Sequence, residues 1–410
     1  MDTNLLSNAC LNLTDDCNLR CVYCFVEQHP HYMTLQTAKD AVDFLVGNLR
    51  KKKNLGQIAS DGRSAITFFG GEPMLCFSSV IQPLVSYIEE KYPNETNLSM
   101  TTNGTLLNEE RVKWLKDHNI PILLSIDGAP ETQNINRPCK NSLCNSADQV
   151  LKNIPYILKE FPQTTFRSTI YQETVDHTFE NYLFAQYLGF RNIFMMPNCR
   201  DPWTYEQADI LYQEYEKIYD YIIECFRNGV QPIYCATINN SFEQVLKHDI
   251  AVVNDTLKKT ATRRPTTRCG LGTSFGSISY DGSIYGCQEQ DSKDHKSFFY
   301  IGDIYNGINK ELHQRLLDEY GKEAFSTCED PGYCENCPLQ TQCHIFACPS
   351  TTWDLYQDFH QDSKIHCFWI RTMFDQAVRA MNILVAEDNQ TFKDYLYIHC
   401  NFKNYWKEEE

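Results

Sequence analysis

Cys10-Leu11-Asn12-Leu13-Thr14-Asp15-Asp16-Cys17-Asn18-Leu19-Arg20-Cys21-Val22-Tyr23-Cys24-Phe25 joins a short apolar run to three cysteines in the spacing CxxxCxxC. A strand-like run leading straight into Cys17, Cys21 and Cys24 puts three soft ligands on one loop at a strand end. Three thiolates so arranged can hold a [4Fe–4S] cube by three corners, leaving the fourth iron open to a substrate or cofactor. A structural zinc site needs four ligands, and no fourth follows close by. Ordinary buried thiols, or half of a zinc site completed later in the chain, are the competing readings.

The surrounding pattern is that of an α/β protein. From residue 9 to about 235, short apolar runs alternate with amphipathic stretches. Strands are expected at 9–13, 64–69, 98–102, 120–126, 165–171 and 192–196, and helices at 34–49, 80–91, 108–118, 146–160, 175–188 and 205–227. These six repeats predict a partial (β/α)6 TIM-like barrel. In such barrels the chemistry sits where strands end and loops begin, and the cysteine triad lies just after the first strand.

At 410 residues, 42% of them apolar, the chain can bury a sizeable core. Its net charge of −16 lacks the basic footprint of an enzyme acting on DNA or RNA. No apolar run approaches the roughly 18 residues of a membrane span, and the start, Met1-Asp2-Thr3-Asn4, has no basic region of a secretory signal. Neither nucleic acid nor membrane is therefore an expected partner, and the expected location is the cytoplasm. Nineteen cysteines there argue for reduced, metal-ligating thiols over a disulfide framework. Cys10, Cys76, Cys139, Cys144, Cys199, Cys225, Cys235 and Cys400 read as small buried or incidental thiols.

Three further strand ends carry signals. After Phe69 comes Gly70-Gly71-Glu72-Pro73, where two glycines let backbone approach a ligand and a carboxylate can receive an ammonium group. The third strand ends in Thr101-Thr102-Asn103-Gly104 and the fourth in Ser125-Ile126-Asp127-Gly128; Asn-Gly and Asp-Gly are also ordinary turns. Beyond a less regular bridge at 236–265 stand Cys269, Cys287, Cys334, Cys337, Cys343, Cys348 and Cys367, with a hairpin expected around Asp281-Gly282. Seven ligands exceed one metal centre.

The triad with Tyr23 before its last cysteine, together with these strand ends, resembles the signature of the radical S-adenosylmethionine (SAM) enzymes. In that family SAM chelates the unique iron, and an electron from the cube releases a 5′-deoxyadenosyl radical that abstracts hydrogen. The resemblance implies that Gly70, Gly71 and Glu72 hold the SAM amino group. It also implies that Asn103 and Ser125 meet its ribose and carboxylate, with Arg137 or Arg167 as the cation. The later cysteines resemble the SPASM extension, which houses two auxiliary [4Fe–4S] clusters, three clusters in all. By the family's pairing Cys269, Cys287 and Cys348 bind the first auxiliary cluster, and Cys334, Cys337, Cys343 and Cys367 the second. Four residues separate Cys343 from Cys348 where the family usually has three. Cys328, or a substrate thiolate on an open iron, is left to complete the first cluster.

The expected organisation is a barrel over 1–235, the bridge at 236–265, a SPASM domain at 266–372 and a helical, aromatic cap at 373–410. The resemblance implies an enzyme that modifies a ribosomally made, cysteine-containing precursor peptide by forming sulfur-to-carbon thioethers. It also implies an electron donor such as flavodoxin or ferredoxin. With Cys17 so early, no separate leader-binding domain is expected before the barrel. Sulfatase maturases carry an aspartate base directly after the cysteine that follows the hairpin; here Cys287-Gln288-Glu289 stands instead. Gln288 cannot accept a proton, and Glu289 would face away if the strand continued. Formylglycine formation is thus the disfavoured alternative, and an electron carrier with inert clusters is the third reading.

Overall fold

The computed structural model describes residues 5–253, 269–292, 297–321, 348–359 and 363–400, with backbone alone for 247–253. In chain order the elements are β1 (Ala9–Asn12), α1 (Leu35–Asn54), β2 (Ser64–Phe69), α2 (Gln82–Lys91), β3 (Thr96–Thr102), α3 (Glu109–Asp117), β4 (Ile122–Ser125) and α4 (Pro130–Asn136). Next come α5 (Ser146–Leu151), α6 (Ile154–Glu160), β5 (Thr165–Ile170), α7 (Thr178–Tyr187), β6 (Asn192–Pro197), α8 (Tyr205–Arg227), β7 (Tyr234–Cys235) and α9 (Ala236–Val253). Then follow β8 (Gly276–Ile278), β9 (Ser283–Tyr285), β10 (Tyr300–Asp303), β11 (Gly307–Ile308), α10 (Lys310–Tyr320), α11 (Pro349–Tyr356), α12 (Lys364–Ala386) and α13 (Gln390–His399). The six expected strand–helix repeats are present, and the chain is α/β with parallel pairing among its repeat strands.

Two compact units form. The first takes Met1–Ser125, Arg137–Thr164 and Thr266–Glu323. In it β8, β1, β2, β3 and β4 run parallel in that order, and β9, β10 and β11 continue antiparallel beyond β8. β1 is buried along its whole length because β2 and β8 flank it, Cys10 standing opposite both Thr67 and Ser277. The expected hairpin is β8–β9, turning at Gly282 with a φ of +92° that favours glycine. Helix α1 begins where the Thr34 hydroxyl accepts from Thr37 N–H, and it ends on Lys51, Lys52 and Lys53, cations that suit a helix C-terminus. Its buried stripe of Ala38, Ala41, Val42, Leu45, Val46 and Leu49 follows the helical period.

The second unit takes Ile126–Asn136, Thr165–Pro265 and Ala324–Glu410. Here β5, β6 and β7 pair in parallel. A capping box of Thr204 and Gln207 starts α8, whose buried Leu211, Tyr215, Ile218, Tyr219, Ile222 and Phe226 form its inner face. Phe392 and Tyr395 of α13 set their rings 5.1 and 5.2 Å from Phe226, and Tyr395 donates to Asn239 Oδ1 at 2.9 Å. The aromatic residues of the terminal helix thus cap a core.

Three elements differ from the sequence expectation. The bridge expected to be irregular contains α9, because Ile238, Phe242, Val245 and Leu246 recur at helical spacing and are buried. The helix expected over 146–160 is two, since Pro155 in the first turn of α6 cannot continue a preceding helix. The helix expected from Val175 begins as a 3₁₀ segment, Gln172–His177, kinked at Thr174, before α7.

Candidate active site

The triad loop leaves β1 and is held from both sides. Leu13 N–H donates to Phe69 O at 2.9 Å, Gly71 N–H to Thr14 O at 2.7 Å and Glu72 N–H to Asp16 O at 3.0 Å, so the Gly70–Glu72 turn lies directly against the loop. Gly70 has a φ of +132°. A Cβ on Gly71 would stand 2.6 Å from the Asp16 carbonyl carbon, closer still to its oxygen, and 3.0 Å from Asp15 O. The two glycines therefore serve a backbone-on-backbone approach that any side chain would block.

Glu72 is fully buried and caps the turn that follows it. Its carboxylate accepts from Asn103 N–H at 2.8 Å, Met74 N–H at 3.0 Å and Thr102 Oγ1 at 2.7 Å. Burial pushes its pKa up, and those three donors pull against the rise. The end of β3 is thus latched to the end of β2. Asn103 carries the latch to the cysteines: its Nδ2 lies 3.7 Å from Cys17 Sγ and 3.0 Å from Asn18 Oδ1. Leu19 N–H points at the same sulfur at 3.3 Å.

The triad is graded in exposure, Cys17 buried, Cys21 half-buried and Cys24 exposed. Burial, and then the Glu72 charge, push the Cys17 thiol up. A bound metal overrides such a shift by taking the thiolate directly. Among the described residues no three His, Cys, Asp or Glu side chains converge on a point that would hold a single ion. Three thiolate donors, with N–H groups directed at Cys17 Sγ, are the donor chemistry an iron–sulfur cluster takes.

A second flank comes from Arg137–Lys140. Arg20 N–H donates to Pro138 O at 2.7 Å and Lys140 N–H to Asn18 O at 2.9 Å, an antiparallel contact that also pairs Leu19 with Cys139. The Arg137 guanidinium stands 3.8 Å from Cys21 Sγ and 5.4 Å from the Tyr23 ring centre. Lys140 Nζ meets Asp16 at 2.7 Å. Burial works to raise the Asp16 pKa, but Lys140, the Tyr32 hydroxyl and the Cys17 N–H together carry it below the usual range.

Of this flank the sequence reading names Arg137 alone. It treated Cys139 and Cys144 as incidental thiols, whereas their sulfurs are bonded, with Cα atoms 5.8 Å apart, inside the range a disulfide spans. Their CxxxxC spacing was the available signal. Also unread was a buried polar chain: Asn12 Nδ2 donates to Asp15 at 2.8 Å and to Asp291 at 3.0 Å, and Asp291 accepts from Ser277. Its members are 279 residues apart, Asn12 to Asp291, so no local pattern reveals it.

The remaining site candidates divide between the units. Ser125 is the last residue of β4 in the first unit, half-buried. Arg167, in the second unit, donates to Ser168 O at 2.9 Å, lies 3.2 Å from Met196 Sδ and stacks 4.4 Å from the Phe194 ring centre. Asp127 Oδ1 accepts from Thr169 N–H at 3.0 Å. Cys269 is exposed, its sulfur 3.7 Å from the Tyr320 hydroxyl, and Cys287 is half-buried; both belong to the first unit. Cys348 and Cys367 are half-buried in the second, at the start of α11 and on α12. Cys328, Cys334, Cys337 and Cys343 lie outside the described residues. After Cys287 the strand does not continue: Gln288–Gln290 is a 3₁₀ turn, so the alternation expected of Glu289 does not apply.

Residues 11–184 match the model of the radical SAM superfamily, and the chain carries a radical SAM domain. An uncharacterized protein of Methanocaldococcus jannaschii is 37% identical over 153 residues, 37% of this chain and 48% of that protein, so the chain spans about half the length of that relative. The cysteine-type anaerobic sulfatase-maturating enzyme of Clostridium novyi is 23% identical over 342 residues, covering 80% of this chain and 84% of that one. Among solved structures, native anSMEcpe with bound AdoMet and Cp18Cys peptide matches 92% of this chain and 98% of its own, with a TM-score of 0.67 at 18% identity. Streptococcus suis SuiB bound to precursor peptide SuiA matches 89% of this chain and 76% of its own, with a TM-score of 0.56 at 15% identity. The chain therefore has the fold of these solved structures, and its sequence is similar to that of the sulfatase-maturating enzyme over most of both lengths. No helix among the described residues is long and apolar enough to cross a membrane.

Proposed function

We propose that the chain is a peptide-modifying radical SAM enzyme that joins a cysteine sulfur to a carbon of a ribosomally made precursor peptide. The observation that carries the reading is the three-cysteine loop, braced by the Gly70–Glu72 turn and by Asn103, with a guanidinium beside Cys21. Cys17, Cys21 and Cys24 would hold the SAM-binding [4Fe–4S] cluster; bound there, cluster and SAM supply one-electron cleavage of a sulfonium and a carbon-centred radical able to abstract hydrogen. Cys269, Cys287 and Cys348, and Cys334, Cys337, Cys343 and Cys367, would hold two further clusters as electron acceptors.

The chain's own residues have distinct tasks in this reading. Arg137, fixed beside Tyr23 and Cys21, presents positive charge to the SAM carboxylate. Glu72 is a positioning residue: its acceptors are already engaged by Thr102, Asn103 and Met74, so it holds the turn rather than reaching outward. The glycine turn presents its backbone polar groups to the SAM amino group. Asn103 N–H groups directed at Cys17 Sγ stabilise negative charge on that sulfur. Flavodoxin or ferredoxin would donate the electron.

A second reading, oxidation of cysteine or serine to formylglycine, rests on the long match to a sulfatase-maturating enzyme. Gln288 after Cys287 supplies no carboxylate base there. The test is anaerobic incubation of reconstituted protein, SAM and reductant with a cysteine-rich precursor and, separately, with a sulfatase peptide. Loss of two hydrogens as an intramolecular crosslink supports the thioether; exchange of sulfur for oxygen supports formylglycine. No 5′-deoxyadenosine with either peptide overturns both and leaves the electron-carrier reading.

A further inference from the structure

Cys139 and Cys144 have no task in the function proposed above, yet they sit on the segment that backs the triad. Their sulfurs are bonded across the exposed tetrapeptide Lys140-Asn141-Ser142-Leu143, in which Leu143 is 94% exposed. Both cysteines are half-buried, so a small thiolate can reach the bond. The residues just before and inside this small ring are those that grip the loop: Pro138 O and Lys140 N–H on Arg20 and Asn18, Cys139 opposite Leu19, and Lys140 Nζ on Asp16.

We propose that Cys139 and Cys144 form a thiol–disulfide exchange site for small dithiols and disulfides, and that its oxidised form stiffens the segment backing Cys17–Cys24. Oxidation removes one hydrogen from each thiol; the two electrons and two protons pass to an incoming disulfide, which leaves as two thiols. Reduction by a dithiol runs the same exchange backwards. With the bond closed, Lys140–Leu143 loses conformations in which Lys140 departs from Asp16 and Asn18. With it open, that end of the backing segment frays more readily. The stiffening rests on the reading of the triad as a cluster loop; the exchange chemistry does not.

The test uses anaerobically purified holoprotein equilibrated across mixtures of reduced and oxidised dithiothreitol. Differential alkylation and peptide mapping should find Cys139 and Cys144 changing together as one two-electron couple. In the same samples, iron release to a chelator should be about threefold slower with the pair oxidised than reduced. The Cys139→Ser/Cys144→Ser chain should release iron at the reduced rate in every mixture. Lys140→Gln keeps the sulfurs and should speed release even when the pair is oxidised, which serves if the double variant does not fold. A pair that stays dithiol throughout the series overturns the exchange site. Wild-type iron release that ignores the state of the pair overturns the stiffening. A protein that binds no iron still reports the exchange by alkylation, so failure of the cluster reading is seen separately.

Discussion

Gly71→Ala tests the central contact of the site. The added methyl would press on the carbonyl of Asp16, 2.6 Å from its carbon, while Gly71 and Glu72 N–H hold that same stretch of loop at 2.7 and 3.0 Å. Backbone cannot give way as a flexible side chain does, so the turn and the cysteine loop must part. Overpacking of this kind costs about 1–3 kcal/mol and each of the two lost hydrogen bonds about 1, so docking should weaken by about 3–5 kcal/mol. The assay is iron per chain after anaerobic reconstitution, together with the melting temperature. The variant should lose about four irons, the content of one cubane, and melt below wild type. Gly47→Ala is the control: within α1 nothing lies within 4 Å of its Cβ position, and alanine there should be neutral or stabilising by about 0.5–1 kcal/mol. Full iron content and an unchanged melt for Gly71→Ala would refute the claim that this turn braces the triad.

Other residues make separable predictions. Thr102→Val removes the hydroxyl that donates to Glu72 and accepts from Gly104 N–H, and should destabilise by about 1–3 kcal/mol in denaturant titration, with Thr102→Ser close to wild type. Asp291 is held at about 8 by burial above all and by the neighbouring Asp15 charge, against the hydrogen bonds from Ser277 and Asn12, from an ordinary value of 3.8. Between those values the folded chain keeps a proton that the unfolded chain releases, so this contribution is whole below pH 3.8 and is lost as pH rises through about 8. Asp291→Asn should flatten the fall in melting temperature over that window; an unchanged slope would assign it elsewhere. Arg137→Ala should weaken SAM binding to reconstituted protein about tenfold by equilibrium dialysis, the loss of one charge-assisted contact, and Arg167→Ala should do less.

Much of the site was legible because its chemistry is local. CxxxCxxC, Gly70-Gly71-Glu72 and Thr102-Asn103 each lie within a few residues and at strand ends, where spacing and position coincide. The Asp281-Gly282 hairpin is local in the same way. The roles were harder to read. A carboxylate after two glycines suggests an outward-facing acceptor, but Glu72 meets β3 through Thr102 and Asn103, thirty residues on by sequence separation. The Cys139 flank and the Asn12–Asp291 bond are long-range, and the expectation of reduced thiols concealed the first. Residues 236–253 read as irregular because their apolar positions are diluted by Asn239, Asn240 and Ser241, although the buried stripe is intact.

The pairing of β8 with β1 makes a segment more than 260 residues on part of the chain's first strand. Ala9, Cys10 and Leu11 spend one edge on β2 and the other on residues 276–278. A chain cut before the hairpin would leave that second edge bare, an apolar ribbon with unpaired amides ready to recruit another polypeptide. The triad hangs from this ribbon, so trimming the cysteine-rich segment would yield an aggregating fragment in place of a minimal catalyst.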